Sequence, residues 1–231
     1  MTPARRTAIA LAAATVLNLP FGTIYAFSVF LKPMEALLGI GRAQMSLVFA
    51  LATITLTLGM NLAPRLYRAL PPAALALACG ACSAAGLALT ASAESYAEVV
   101  LGYGVLFGLG AGIAFTSMQQ SVNAVLEGPA GAINGYVVSL YPLGAMIGAP
   151  VFGWSIGAFG LRPTLAALAA VVLAACGCAA ALLRHAAIDL RPAFPDLHYQ
   201  RARVLLAVGR RAEARAALET ALGIHPGYVA A

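Results

Sequence analysis

Six long stretches of this chain contain no Asp, Glu, Lys or Arg: Thr7 to Leu31, Ala43 to Pro64, Ala69 to Ala93, Val99 to Leu126, Gly128 to Leu161 and Pro163 to Leu183. A helix rises about 1.5 Å per residue, so roughly 20 apolar residues cross the ~30 Å hydrocarbon layer of a bilayer, and every stretch is long enough. A water-soluble globule has no place for so much uncharged sequence; the chain is 61% hydrophobic and 10% charged. Transmembrane β-strands would alternate polar and apolar residues over about 10 positions, and these runs do not. The expected fold is an all-α membrane protein of six transmembrane helices. The first run follows Arg5 and Arg6 but outlasts the apolar core of a secretion signal, so it reads as a span and not as a cleaved leader.

Six spans put both termini on one side. Arg5, Arg6, Arg65, Arg68, Arg184 and Arg191 fall on that side, against Lys32, Arg42 and Arg162 on the other, which predicts both ends in the cytoplasm at a cell (inner) membrane. The net charge of +6 is divided between these loop anchors and a basic tail that would face anionic lipid headgroups, so the expected partner is membrane lipid and not nucleic acid. The cysteines, Cys79, Cys82, Cys176 and Cys178, lie inside apolar runs and suggest neither a secreted disulfide framework nor a zinc ribbon. A Cu(I) site on Cys79 and Cys82 has no evident third soft ligand, so no metal or cofactor is expected.

Short connections at Lys32 to Arg42, Arg65 to Pro72, Glu94 to Glu98, Glu127 to Pro129 and Gly160 to Pro163 predict antiparallel neighbours in a compact bundle. The spans form two groups of three, and odd groups lie in opposite orientations, the arrangement of an inverted repeat. A faint echo accompanies it: Gly22, Ile24, Ala26, Phe27 and Ser28 resemble Gly112, Ile113, Ala114, Phe115 and Thr116 once the register is interrupted. Gly102, Gly104, Gly108, Gly110 and Gly112 in the fourth span, and Gly131, Gly135, Gly144, Gly148, Gly153 and Gly157 in the fifth, predict close helix contacts, because small residues drive association in lipid.

No charged side chain falls centrally in a span, so no titrating group for proton coupling is visible. Neutral polar and aromatic groups remain as candidates for a substrate path: Asn18, Thr23, Tyr25 and Ser28 in the first span, Thr116, Gln119 and Gln120 in the fourth, Tyr136, Ser139 and Tyr141 in the fifth. Their commoner role is to bond neighbouring helices or their own backbone. Asn18, Pro20 and Gly22 interrupt the first span near its middle, and broken helices at the midplane mark transport paths, which singles out Tyr25. The soluble parts offer no nucleophile–base pair, metal triad or phosphate-cradling loop; His185, His198 and His225 are scattered, and an enzyme is not expected.

The domain expected over residues 1–185 is the bundle; residues 186–231 read as a cytoplasmic linker and helical hairpin. Pro192 and Pro195 punctuate the linker, a helix can start near Asp196, and a second runs from about Arg211 to before Pro226. Ala214, Ala217, Leu218, Ala221 and Leu222 form an apolar face. The hairpin resembles a single tetratricopeptide repeat, with Gly209 at its turn, Ala214 and Ala221 at small positions and Pro226 as terminator, although His198 and Arg201 stand where an aromatic and a Leu are usual. One repeat cannot bury its own face, which implies docking to another protein.

The run GTIYAFSVFLKPMEALLGIGRAQMSLVFAL from Gly22 to Leu51 resembles the first two helices of the oxalate/formate antiporter family, within the major facilitator superfamily. The likeness continues in Gly104 to Phe115, Gly131 to Tyr136 and Gly144 to Pro150. Leu62 to Arg68 resembles the basic loop between helices two and three, with Arg65 and Arg68 as gating residues, but Pro64 and Tyr67 occupy its acidic and glycine positions. The resemblance covers residues 8 to 185, half of a twelve-helix transporter. It implies a half-size transporter of small organic anions such as carboxylates, working as a homodimer or with a second six-helix subunit that supplies the basic residues. The rival expectation is a membrane-anchored interaction protein whose tail recruits a cytoplasmic partner.

Overall fold

The computed structural model describes residues 3–126, 131–186, 202–203, 205–206 and 210–224. Among these there are helices and turns but no strands. Helix α1 (Pro3–Gly22) tightens into a 3₁₀ turn at Thr23–Ala26 and resumes as α2 (Ser28–Leu38). Gly39, at φ +63°, stops α2 in a left-handed conformation that carries no Cβ penalty for glycine. Helix α3 (Arg42–Ala69) follows, then α4 (Pro72–Ala91), whose first residue is a proline with its φ already set for a helix. A capping box of Ser95 and Glu98 starts α5 (Tyr96–Val99), which widens into a π-helix at Val100–Phe107 and narrows again as α6 (Gly108–Asn123). Helices α7 (Gly131–Phe159) and α8 (Leu161–His185) are joined by Gly160 alone, at φ +91°.

Six of these helices are long and apolar enough to cross a membrane: Ala4–Ala26, Arg42–Ala69, Pro72–Ala91, Tyr96–Asn123, Gly131–Phe159 and Leu161–His185. The spans are those the charge-free runs predict, but two connections are shorter than expected. Lys32 to Leu38 belongs to α2, and the basic segment around Arg65 and Arg68 is the end of α3, not a loop. The interruption of the first span also falls after Gly22 and not at Asn18. Helices continue past the hydrocarbon until Gly39 or Pro71 ends them, because charged residues lie readily on helical turns at the interface.

The main neighbours are α4 with α8, α3 with α6, α1 with α7, α4 with α6, α1 with α8, and α1 with α6. Exchanging α1 for α6, α3 for α7 and α4 for α8 maps this set onto itself, as an inverted repeat requires. The correspondence reaches single residues. Gly22 lies against the Tyr141 backbone and Gly144 against the Leu19 carbonyl; Gly112 lies against the Leu56 backbone and Gly59 against the Leu109 carbonyl. Gly22 to Gly112 and Leu19 to Leu109 are both steps of 90, while Tyr141 to Leu56 and Gly144 to Gly59 are both steps of 85. The echo around Gly22 and Gly112 therefore marks two equivalent helix crossings, and it loses register where the first span winds into its 3₁₀ turn.

Gly102 and Gly110 admit α4, and Gly108 admits α3, so the fourth span is gripped from two sides. The fifth span behaves differently: Gly144 and Gly148 are in close contact, but a Cβ at Gly131, Gly135, Gly153 or Gly157 would meet nothing within 4 Å. Aromatic rings fill the junction of the first, second and fourth spans. Phe21 stacks on Phe107 at 6.1 Å, Phe27 on Phe49 at 5.8 Å, and Tyr103 lies 4.7 Å from Phe27.

The chain divides into two compact units, Met1–Ile188 and Asp189–Ala231. In the second, α9 (Arg211–Ile224) packs Ala214 and Ala217, with Leu218 beside them, on Ala202 and Leu205 of a preceding helical segment. Arg210–Glu213 and Arg215–Glu219 pair along its solvent side. Leu206 and Leu222 remain exposed. The expectations for His198, Arg201, Gly209, His225, Pro226 and the Glu127 to Pro129 connection lie outside the described residues, as does the side chain of Ala221.

Candidate substrate path

Pro20 offers no N–H to the Val16 carbonyl, and one turn later the backbone tightens through Thr23–Ala26. This turn presents Tyr25 outward, 45% exposed, with its ring edge-on to Tyr141 at 6.4 Å. Tyr141 is buried; its hydroxyl donates to the Ala111 carbonyl at 2.8 Å, and Phe115 meets its ring at 4.9 Å. Tyr25 and Phe115 thus flank Tyr141 from the first and fourth spans. On the inner side of the turn, Tyr103 donates to the Ile24 carbonyl at 3.1 Å, satisfying an acceptor in the 3₁₀ segment.

The remaining candidates are dispersed. Thr23 is buried and donates to the Pro20 carbonyl at 2.6 Å. Ser28 is exposed, while Thr116, Gln119 and Gln120 are half-buried toward the end of α6. Tyr136 is 44% exposed and shares a 2.7 Å hydrogen bond with Thr15 across the α1–α7 seam. The exposed Ser139 donates back to the Tyr136 carbonyl. Asn18 is fully buried, and neither of its amide atoms has a hydrogen-bond partner among the described residues. It lies one turn from Phe21, which stacks on α6's side of the junction, and from Gly22, which touches α7. Arg65 and Arg68 are exposed on the last turns of α3.

The second span holds polar residues that sequence reasoning passed over. Ser46, Thr53, Thr57 and Asn61 recur at helical spacing along one side of α3. Ser46, Thr57 and Asn61 are exposed and Thr53 is half-buried. Thr53, Thr57 and Asn61 each return one hydrogen bond to a carbonyl of their own helix. Beside this row runs an apolar one, Leu47, Ile54 and Leu58, all more than half exposed. The apolar row suits hydrocarbon, whereas an amide and a line of hydroxyls do not. Ser46 shares a recess of about 170 Å³ with Tyr25 and Ser28, so the polar row on α3 begins where the exposed polar groups of the first span end. The signal that would have found it is the helical spacing of Thr53, Thr57 and Asn61.

Among the described residues no group of three or more His, Cys, Asp or Glu side chains could hold a metal ion. At the mouth of the bundle the Arg42 guanidinium binds Glu35 through both carboxylate oxygens, with Nη2 to Oε2 at 3.1 Å, and holds that carboxyl below its usual range.

A six-helix bundle built as an inverted repeat, with neutral polar groups on spanning helices, has the architecture of half a secondary transporter. The chain matches the family model of the Major Facilitator Superfamily over residues 9–212 and belongs to that superfamily; it is a multi-pass membrane protein of the transporter kind. No curated protein matches it.

Proposed function

We propose that the bundle forms one wall of a transport path for a small organic anion such as a carboxylate, and that a second six-helix bundle, from another copy or a different chain, forms the other. The observation that carries this reading is the polar row Ser46, Thr53, Thr57 and Asn61, open on a spanning helix and continuous with the recess of Tyr25 and Ser28. Hydroxyl and amide groups can hydrogen-bond a carboxylate, and the positive charge it needs comes from the facing bundle. Resemblance to the oxalate/formate antiporter family supports the substrate class. The arginine distribution supports cytoplasmic termini in an inner membrane.

The test is uptake of small labelled carboxylates by proteoliposomes, together with the mass of the detergent-solubilised complex. Tyr25→Phe should lower uptake at unchanged insertion, and a complex holding two six-helix bundles should be recovered. Unaltered uptake removes Tyr25 from the path; a lone chain bound only to soluble protein overturns the paired-bundle reading. In that event a second reading holds, favoured by the exposed Leu206 and Leu222 on the hairpin: a membrane-anchored protein whose tetratricopeptide-like tail recruits a cytoplasmic partner.

A further inference from the structure

A groove of about 300 Å³ runs between α1, α7 and α8, walled by Leu19, Ile147, Val151, Phe152, Leu168 and Val171. Its three hydroxyls are all committed. Thr23 donates to the Pro20 carbonyl at 2.6 Å, Ser155 and Thr164 bond each other at 2.8 Å, and Thr164 is also 2.8 Å from the Gly160 carbonyl. With its few hydroxyl donors committed and the rest of its wall apolar, the groove is suited to hydrocarbon. From Thr164 to Val171 the groove side of α8 extends about 10 Å at ~1.5 Å per residue, roughly two-thirds of the ~15 Å hydrocarbon half of one leaflet.

A second cavity of about 480 Å³ opens at the upper end, lined by Pro33, Ala36, Leu37, Gly160, Arg162 and Pro163. Thr164 lines the groove and its chain neighbour Pro163 lines the second cavity, so both reach the first turn of α8. The Arg162 side chain is exposed there, with one long hydrogen bond of 3.4 Å from Nη2 to the Ala93 carbonyl. Arg162 lines this second cavity where α7 turns into α8, and an exposed guanidinium at that level can bind the phosphate of a lipid whose chain lies along α8.

We infer that the α1–α7–α8 groove and the Arg162 cavity together bind one anionic phospholipid, with an acyl chain in the groove and the phosphate at Arg162. The site is independent of the transported substrate, because it needs only residence in a bilayer. The full chain, purified in detergent, is titrated with phosphatidylglycerol and with phosphatidylcholine, and retained lipid is counted by native mass spectrometry. One tightly held lipid is expected, with phosphatidylglycerol preferred. Arg162→Gln should reduce that preference about fivefold, the effect of one basic residue near an anionic surface. Ala167→Trp, which fills the groove from an exposed position, should abolish retention of both lipids while helical content by circular dichroism stays unchanged. Retention indifferent to both variants overturns the inference. So does displacement of the lipid by inorganic phosphate alone, which would make the site a phosphate site, or a change in oligomer mass in place of lipid loss, which would make the groove a protein seam.

Discussion

Alanine at Gly112 tests the inverted pair of crossings directly. A Cβ there would lie 2.8 Å from the Leu56 carbonyl carbon and 3.0 Å from its Cα, besides overlapping the carbonyl oxygen. These are backbone atoms of α3 and cannot rotate away. Restoring ordinary carbon–carbon contact of ~3.5 Å alone requires α3 and α6 to separate by at least ~0.7 Å, and the carbonyl overlap demands more, along a seam that depends on close approach. Overpacking of this kind costs roughly 1–3 kcal/mol. The equivalent Gly22→Ala meets Tyr141 Cα at 2.7 Å and should cost a similar amount. Gly153→Ala meets nothing within 4 Å and should be neutral or stabilising by ~0.5–1 kcal/mol, since alanine is the better helix former. The assay is reversible unfolding in mixed micelles, following helicity against the mole fraction of dodecyl sulfate. Equal midpoints for Gly112→Ala and Gly153→Ala would refute the argument that backbone-to-backbone crossings hold the two halves of the repeat.

Tyr103→Phe deletes the donor to the Ile24 carbonyl and should lower stability by about 0.6–1.5 kcal/mol in the same assay; no change would mean the 3₁₀ turn does not depend on that bond. Asn18→Leu removes a buried amide without partners among the described residues and should raise the unfolding midpoint by the equivalent of ~1–3 kcal/mol, whereas a fall would show that Asn18 is satisfied in the membrane. Ser95→Ala removes the cap of the fourth span and should cost ~1 kcal/mol, read as faster amide exchange in its first turn. Glu35 has a lowered folded pKa because Arg42 hydrogen-bonds it, so its contribution is complete above the ordinary carboxylate range of ~4.3 and is lost as pH falls through the lower folded value. Stability should therefore decline on acidification, and Arg42→Gln should flatten that decline.

The spans were legible because a run without charge reports hydrocarbon thickness directly. Helix ends were not, because that signal stops at the interface while hydrogen bonding continues: Lys32 sits within α2 and Arg68 within α3. The Gly22 and Gly112 echo was visible, but its partners Gly144 and Gly59 carry no mark that pairs them, since the crossings join residues far apart in sequence. Tyr25 stood out for its position beside a helix break, and the structure places it at an open surface. Tyr141, a candidate only as a polar aromatic group of the fifth span, is buried and donates to the Ala111 carbonyl. The polar row on α3 went unnoticed because hydroxyls bonded to their own backbone look like ordinary helix residues until their exposure is known.

The α1–α7 crossing also has a consequence for biosynthesis. Gly22 and Gly144 are 122 positions apart, whereas Gly59 and Gly112 are 53 apart. At ~5–20 residues per second of translation, the first span waits roughly 6–24 s for its α7 partner after it has been made. During that interval the crossing of α3 and α6 can already close, while the Gly22 face of α1 still lacks its α7 partner. The two halves of the repeat therefore close in sequence and not together, the α3–α6 crossing before the α1–α7 one.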